Sequence, residues 1–208
     1  LGLPAVAVLS GPSHAEEVAR RLPTAVVAAC REPKPANLVQ RLFMNRRLRV
    51  YTSDDPIGVE MGGALKNVIA LAVGMCDGLG LGDNARAALI TRGLAEIARL
   101  GAAAGAQPAT FSGLSGLGDL VVTCTSRLSR NRNVGERLGR GEPLATILAG
   151  MKQVAEGLTT CPTALALARR YGVETPVIRE VHAILYEGRK PDEVQDLFMT
   201  RQAKPERH

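Results

Sequence analysis

The spacing of apolar residues divides the chain into two stretches. In the first fifty residues, short apolar runs alternate with amphipathic segments. This pattern predicts strands that alternate with helices, and therefore βαβ units in a parallel or mixed sheet. The predicted strands cover residues 5–9, 24–30 and 48–52, and the predicted helices cover residues 15–22 and 35–44.

After Pro56 the strand pattern disappears and the apolar residues follow the helical period. The predicted helices cover residues 56–80, 84–105, 117–124, 132–139, 158–171, 176–186 and 191–198. Prolines stand near the starts of these segments, where a missing N–H costs little. They are Pro56, Pro108, Pro143, Pro162, Pro176 and Pro191. We therefore predict two domains, residues 1–54 with a sheet and residues 55–208 with helices only.

The composition is typical of a folded soluble protein and excludes a disordered chain. Apolar residues make up 46% of the 208 residues, but aromatic residues only 3%, and Trp is absent, so small side chains must form the core. The longest apolar run, residues 61–76, is interrupted by Lys66 and Asn67. It is also shorter than the roughly 18 residues that a membrane span needs. No membrane span is predicted.

The N-terminus and the cysteines indicate a cytoplasmic protein. The chain begins at Leu1 without the basic segment of a secretion signal, and the absence of an initiator Met suggests that upstream residues are missing. The cysteines, Cys30, Cys76, Cys124 and Cys161, lie far apart and form no C-x-x-C motif. This argues against a zinc site and against a disulfide framework. No metal site is predicted, and a reducing compartment fits best.

The net charge of +6, from 26 basic and 20 acidic residues, is modest for a nucleic-acid-binding protein. The excess is concentrated in residues 127–140, which contain five arginines and one acidic residue, Glu136. A small anionic ligand explains this cluster as well as DNA does. Nucleic-acid binding is the weaker interpretation, because only six residues of the chain are aromatic and bases would have few side chains to stack on.

Lys66 is the single residue that most strongly indicates chemistry. It is the one charged side chain within residues 61–76, and at helical spacing it shares a stripe with apolar residues. A lysine removed from water usually has a lowered pKa or a carboxylate partner, and both suit proton transfer. Gly62 and Gly63, one turn earlier, would let another backbone or a flat cofactor approach. The competing interpretation is a lysine that snorkels out of a packed helix, which the adjacent polar Asn67 weakens.

Two further segments could bind a ligand. Residues 113–119 (GLSGLGD) are glycine-rich and end in Asp119, but they match neither the P-loop nor the dinucleotide-binding pattern. Asp119 could equally be a plain helix N-cap. Residues 129–133 (SRNRN) bring hydroxyl, guanidinium and amide groups to the start of a predicted helix, which suits a phosphate monoester. A solvated arginine-rich turn is the alternative for this second segment.

At these residues the chain closely resembles the NAD(P)-dependent glycerol-3-phosphate dehydrogenases of bacterial type. Six motifs occur in family order: LSGPS at 9–13, GVEMGGALKN at 58–67, NARAALITRG at 84–93, GLSGLGDLVVTC at 113–124, SRN at 129–131 and VAEG at 154–157. Each motif alone is a weak signal, but six in register are specific. The resemblance implies an α/β remnant of a Rossmann-type dinucleotide-binding domain, followed by an all-α substrate domain like the C-terminal domain of 6-phosphogluconate dehydrogenase.

The resemblance also implies roles for individual residues. Lys66 would accept the proton when glycerol 3-phosphate is oxidised and donate it when dihydroxyacetone phosphate is reduced. Its catalytic group would include Asn67, Asp119 and Thr123. The substrate would contact Lys66, Asp119, Gly11, Ser13, Ser129, Arg130 and Asn131. NAD or NADP would contact Ala15, Arg130, Val154 and Glu156. His14 stands where relatives often carry Phe, and no role is attached to it.

The chain departs from the family pattern in what it lacks. The G-x-G-x-x-G fingerprint and the first strands have no counterpart, so this chain alone is not expected to bind NAD(P) or to be active. The residue that would distinguish NAD from NADP belongs to that absent region, so the choice stays open.

The resemblance further implies a cytoplasmic enzyme that supplies glycerol 3-phosphate for phospholipid synthesis, and it allows a homodimer. One alternative is a related 6-phosphogluconate or β-hydroxy-acid dehydrogenase, against which the SRN motif argues. The other is a non-catalytic helical oligomerisation module.

Overall fold

A mixed three-stranded sheet forms the first part of the protein. The computed structural model describes residues 6–151 and 153–193. The strands β1 (Val8–Ser10), β2 (Thr24–Ala29) and β3 (Leu48–Ser53) lie in the order β1-β2-β3. β1 pairs antiparallel with β2, and β2 pairs parallel with β3. The alternating pattern predicted a parallel or a mixed sheet, and the observed sheet is mixed.

Helices cover both faces of this sheet. On one face Val39 of α2 (Pro33–Phe43) packs against Val26 and Val50. On the other face Val59, from the first long helix of the second part, packs against Val27. The short helix α1 (Ala15–Ala19) ends three residues earlier than predicted, and the chain then passes through Arg21, whose φ of 57° is left-handed.

The second part is helical throughout its described residues, as predicted. Its α-helices are α3 (Pro56–Gly78), α4 (Gly82–Ala103), α5 (Asp119–Thr125), α6 (Arg130–Gly139), α7 (Leu144–Ala149), α8 (Glu156–Tyr171) and α9 (Pro176–Tyr186). A 3-10 turn (Pro108–Ser112) and a π-helical turn (Leu114–Gly118) connect α4 to α5. Residues 191–193 are helical, whereas 194–198 of the last predicted helix lie outside the described residues. The predicted helix 117–124 thus begins as a π turn, and α7 was not predicted.

α3 is the central helix of the protein. Fourteen of its 23 residues are buried, and α4, α5, α6 and α8 pack around it. Its length and composition would allow it to cross a membrane, but two-thirds of its most apolar window is buried inside the protein, as in the core helix of a soluble protein. Because α3 contacts both the sheet and the other helices, a domain boundary between residues 54 and 55 stays a prediction.

α3 and α6 pack at backbone distance through glycines spaced four residues apart. Gly74 and Gly78 of α3 lie against α6, and Gly135 and Gly139 of α6 lie against α3. A Cβ added at Gly74 would lie 2.1 Å from the carbonyl oxygen of Arg132. The two helices run in the same direction, so this contact brings the first turn of α6 alongside the half of α3 that carries Lys66.

Pro162 lies inside a helix, not near its start as the sequence predicted. It was expected near the start of a helix, but α8 begins at Glu156 and Pro162 lies inside it. A proline at this position cannot donate a hydrogen bond to the carbonyl of Leu158, four residues earlier. The hydroxyl of Tyr186 in α9 donates to that carbonyl at 2.5 Å instead. The acceptor freed by the proline is therefore paired, and the bond joins α8 to α9.

Candidate active site

Lys66 meets a buried carboxylate. Its Nζ lies 2.5 Å from Oδ2 of Asp119, whose side chain is 3% exposed, against 19% for that of Lys66. Gly62, one turn earlier on α3, lets the backbone of Ser115 approach, since a Cβ there would lie 2.4 Å from the Ser115 carbonyl oxygen. The π-helical turn that ends at Gly118 is thereby held against α3, and Asp119 follows it directly. The ion pair favours the chemical interpretation of Lys66 over a lysine that merely snorkels.

Asp119 is not the N-cap of α5. It is the first residue of the helix, Gly118 occupies the N-cap position, and no side chain caps this end. The Asp119 side chain instead faces Lys66, and the hydroxyl of Thr123, one turn later, donates to the Asp119 carbonyl oxygen at 2.6 Å and lies 3.3 Å from Oδ1. The structure thus brings Lys66, Asp119 and Thr123 into one cluster.

The surroundings of Asp119 oppose its ionisation. Burial raises the pKa of its carboxyl group above 3.8, and this effect outweighs the lowering by Lys66, by the Thr123 hydroxyl and by His14. A carboxyl group in this position keeps its charge only because a cation stands beside it. Asp119 is therefore suited to hold an ammonium group at Lys66.

The raised pKa of Asp119 predicts that the free energy of unfolding falls as the pH rises. The folded state binds the Asp119 proton more tightly than the unfolded state does. The stabilisation that results is therefore fully present below the pKa of Asp119 in the unfolded chain, and it is lost as the pH rises through the pKa of Asp119 in the folded protein. We expect Asp119→Asn to remove this dependence. Urea unfolding of the 208-residue chain across the acid range measures it, with Asp54→Asn, at an exposed aspartate, as the control. An unchanged dependence in Asp119→Asn would contradict the expectation.

The loop between β1 and α1 lies beside this cluster. Gly11 is buried with φ 140°, and its carbonyl oxygen accepts a hydrogen bond from Ser13 Oγ at 2.9 Å. Pro12 lies near Gly118, since a Cβ added at that glycine would be 3.8 Å from Pro12 Cδ. Gly11 and Ser13 thus belong to a loop that approaches the residue before Asp119, whereas Ala15 is exposed at the start of α1.

His14, to which the sequence analysis gave no role, belongs to the same region. Its Nε2 is buried and has no hydrogen-bond partner within residues 6–151 and 153–193. His14 is also the last of the groups that oppose the rise in the pKa of Asp119. The sequence could have indicated this region, because His14 places a polar ring where the resemblance leads one to expect Phe.

The arginines in and beside α6 differ in whether they are paired with carboxylates. Arg132 pairs with Asp77 at 2.6 Å and with Glu136 at 3.2 Å. Arg137 pairs with Glu142, and Arg140 pairs with Glu136. In the described part of the chain, Arg130 is exposed and makes no ion pair or hydrogen bond, so its guanidinium is free to bind a ligand.

Ser129 and Asn131, on either side of Arg130, are buried and already engaged. Ser129 is the N-cap of α6, and its Oγ accepts from the Arg132 N–H at 3.2 Å. Asn131 donates to Asn67 Oδ1 at 2.9 Å and accepts from the Gly157 N–H at 2.8 Å. These bonds leave the Ser129 hydroxyl proton and one Asn131 amide proton for a ligand.

One of the residues predicted to contact the cofactor, Glu156, lies near Asn67. The Asn67 amide donates weakly to Gly63 O at 3.4 Å and to Glu156 Oε2 at 3.5 Å, so Glu156 is near the Lys66 segment. Val154, which precedes α8, is 66% exposed. In the described ranges no group of three or more His, Cys, Asp or Glu side chains is placed to hold a metal ion.

The chain matches two family descriptions along its length. The description "NAD-dependent glycerol-3-phosphate dehydrogenase C-terminus" covers residues 55–196, and the corresponding N-terminus covers residues 1–36. A glycerol-3-phosphate dehydrogenase [NAD(P)+] from Geobacter sulfurreducens is 58% identical over 200 residues, which are 96% of this chain and 60% of that protein. One from Moorella thermoacetica is 56% identical over 207 residues, with 100% and 61% covered. The chain thus spans about 60% of the length of these relatives.

Solved structures agree with this assignment. Glycerol-3-phosphate dehydrogenase from Coxiella burnetii superimposes with a TM-score of 0.92 at 45% identity, over 95% of this chain and 61% of that one. The Saccharomyces cerevisiae enzyme gives 0.82 at 29% identity, over 91% and 58%. The predicted fold class, a Rossmann-type remnant followed by a helical domain, is confirmed. The chain belongs to the NAD-dependent glycerol-3-phosphate dehydrogenase family.

Proposed function

We propose that this chain is the substrate-binding part of an enzyme that interconverts glycerol 3-phosphate and dihydroxyacetone phosphate with NAD(H) or NADP(H). The observation that carries the proposal is the Lys66–Asp119 ion pair of 2.5 Å. The guanidinium of Arg130 makes no ion pair within the described residues, and the adjacent Asn131 is bonded to Asn67, which follows Lys66. A base beside an anion-binding group is what oxidation of a phosphorylated alcohol requires. The printed names of the relatives support this substrate pair.

Lys66 is the proton-transfer residue of the proposed mechanism. In the oxidation direction the C2 hydroxyl gives its proton to Lys66 Nζ while the C2 hydrogen leaves as hydride. In the reduction direction Nζ returns a proton to the carbonyl oxygen of dihydroxyacetone phosphate. Asp119 holds the ammonium form at 2.5 Å, and Thr123 fixes the Asp119 backbone. The Arg130 guanidinium binds the phosphate oxygens, assisted by Ser129 and Asn131.

We expect the dinucleotide to bind beside the substrate. Ala15, Val154, Glu156 and Arg130 are exposed. The buried His14 Nε2 has no hydrogen-bond partner among the described residues. When bound, NAD or NADP supplies the hydride acceptor. The residues of this chain orient the substrate, and Lys66 carries its proton.

The proposal extends to compartment and assembly. A cytoplasmic location is supported by four buried free thiols, which suit a reducing environment. Burial raises the pKa of Cys124 and of Cys161 to about 12, so both thiols stay protonated and unreactive. A homodimer remains a prediction that size measurement in solution can test.

The test uses a fusion enzyme, in which the N-terminal segment of the Geobacter sulfurreducens relative precedes the 208-residue chain. We expect the fusion enzyme to oxidise NADH or NADPH when dihydroxyacetone phosphate is added, and the chain alone to be inactive. A non-catalytic helical module predicts that neither protein oxidises the cofactor. No turnover by a fusion enzyme that binds NADH would therefore overturn the proposal.

Arg130→Ala should raise the KM of the fusion enzyme for dihydroxyacetone phosphate by about 10- to 100-fold, because a charged hydrogen-bond donor to phosphate is lost. Steady-state kinetics at saturating cofactor measure this change. Arg127→Ala is the matched control, since Arg127 is also exposed and stands three residues away. Equal KM values for the two variants would remove the phosphate-binding role from Arg130.

A further inference from the structure

A buried carboxylate outside the candidate site ties three helices together. Asp77 lies near the end of α3, and its side chain is 6% exposed. Arg86 of α4 meets its Oδ1 at 2.7 Å, and Arg132 of α6 meets its Oδ2 at 2.6 Å. Neither Asp77 nor Arg132 has a place in the mechanism above.

Arg132 differs sharply from Arg130, two residues earlier. Its guanidinium is shared between Asp77 and Glu136, and its backbone N–H is bound by Ser129 Oγ. Its side chain is 16% exposed. Arg132 is therefore engaged with two carboxylates, which makes it less suited than Arg130 to bind a phosphate group, and it fixes the turn from which Arg130 projects.

The glycine contact between α3 and α6 explains why such a fixing point is needed. Glycines set the distance between the helices, but they provide no side chains that interlock and prevent sliding or rotation. Asp77 is 11 residues after Lys66, which is about three helical turns, so both side chains lie on the same face of α3. The ion pair from Arg132 to Asp77 thus fixes α6 on the helix that carries Lys66, in addition to the hydrogen bond from Asn131 to Asn67.

We propose that Asp77 and Arg132 are positioning residues that place Arg130 for the substrate phosphate. This inference rests on the proposed function. Buried ion pairs add little net stability compared with apolar packing, and fixing one register is their better-attested use. The pair acts on catalysis through Arg130, with no contact of its own to the substrate.

The test compares Asp77→Asn and Arg132→Met in the fusion enzyme with Arg137→Met. The control breaks the Arg137–Glu142 pair on the same helix, at its far end. We expect KM for dihydroxyacetone phosphate to rise about tenfold or more in the first two variants and to stay unchanged in the control. Turnover of dihydroxyacetone, which lacks the phosphate, should be equal in all of them. Arg132→Lys, which keeps the charge, should restore part of the loss.

A second comparison separates positioning from stability. In an Arg130→Ala background, Asp77→Asn should have no further effect on KM, because the residue that it positions is gone. A lower melting temperature with an unchanged KM would mean that the cluster only stabilises the fold, and would overturn the inference.

Binding of glycerol 3-phosphate to the 208-residue chain by calorimetry provides a readout without turnover. Weaker binding in Asp77→Asn than in Arg137→Met supports the positioning role even if the fusion enzyme is inactive. If the unsubstituted fusion enzyme turns over dihydroxyacetone phosphate and KM is equal in all variants, this inference alone is refuted. If the unsubstituted fusion enzyme shows no turnover and the unsubstituted 208-residue chain does not bind glycerol 3-phosphate, both the proposed function and this inference are refuted.

Discussion

Lys66→Met is expected to lower the kcat of the fusion enzyme by about 10³-fold, because general acid–base groups contribute roughly 10²- to 10⁴-fold. Met is unbranched and follows most of the Lys66 stem, with sulfur in place of Cδ, and it lacks the ammonium group, so most of the packing against the helix is kept. Substrate KM should change less than kcat, since Arg130 is unaltered. Steady-state kinetics in both directions measure the effect.

The control for this variant is Lys190→Ala, at an exposed lysine in the helical part. Circular dichroism and thermal unfolding establish that the Lys66 variant is folded. A folded variant with near-normal turnover would remove Lys66 from the mechanism. Loss of turnover in both variants would show that the effect is not specific to Lys66.

The second large effect concerns stability, and it tests the contact between α3 and α6. Helix propensity alone would make Gly135→Ala stabilise α6 by about 1 kcal/mol. The added Cβ would however lie 2.1 Å from the Leu71 carbonyl oxygen and 3.0 Å from Gly74 Cα, both backbone atoms. Forcing the helices apart typically costs about 1–3 kcal/mol, and more where backbone must move. We expect the cost of the clash to exceed the gain in helix propensity, so that the free energy of unfolding falls by about 2 kcal/mol or more.

Gly150→Ala is the matched control, because a Cβ there meets its nearest atom at an ordinary 3.7 Å. Its φ of −88° is also compatible with Ala. Urea unfolding of the three 208-residue chains compares the two substitutions with the wild type. Gly135→Ala at least as stable as the wild type would contradict the described contact.

Most of the fold could be predicted because its elements follow simple periods. Strand β2 is a short apolar run, β3 is a short segment that contains apolar residues, α3 carries a long apolar stretch, and α4 is amphipathic with the helical period. α7 was missed because its six residues span less than two turns, too few to establish a period. Pro162 was misplaced because local propensity reserves proline for helix starts, whereas the Tyr186 hydroxyl that compensates for it lies 24 residues later.

The sequence indicated individual residues of the candidate site, but not which of them contact one another. Lys66 stood out because a charge interrupts an apolar helix, but its partner Asp119 is 53 residues away and reads locally as a helix cap. Within the SRNRN segment, sequence alone could not distinguish the free Arg130 from Arg132. The difference comes from Asp77, more than fifty residues earlier, which only tertiary packing brings to α6.

The most direct test of the central claim follows hydride transfer with and without the Lys66 ammonium group. Fusion enzymes with Lys66 and with Met at this position are incubated with dihydroxyacetone phosphate and with NADH or NADPH that carries deuterium at C4 of the nicotinamide ring. The product is then analysed by NMR. We predict deuterium at C2 of glycerol 3-phosphate from the Lys66 enzyme and no detectable labelled product from Lys66→Met in the same time. Absence of C2 label from the Lys66 enzyme, or equal label from both, would contradict the account.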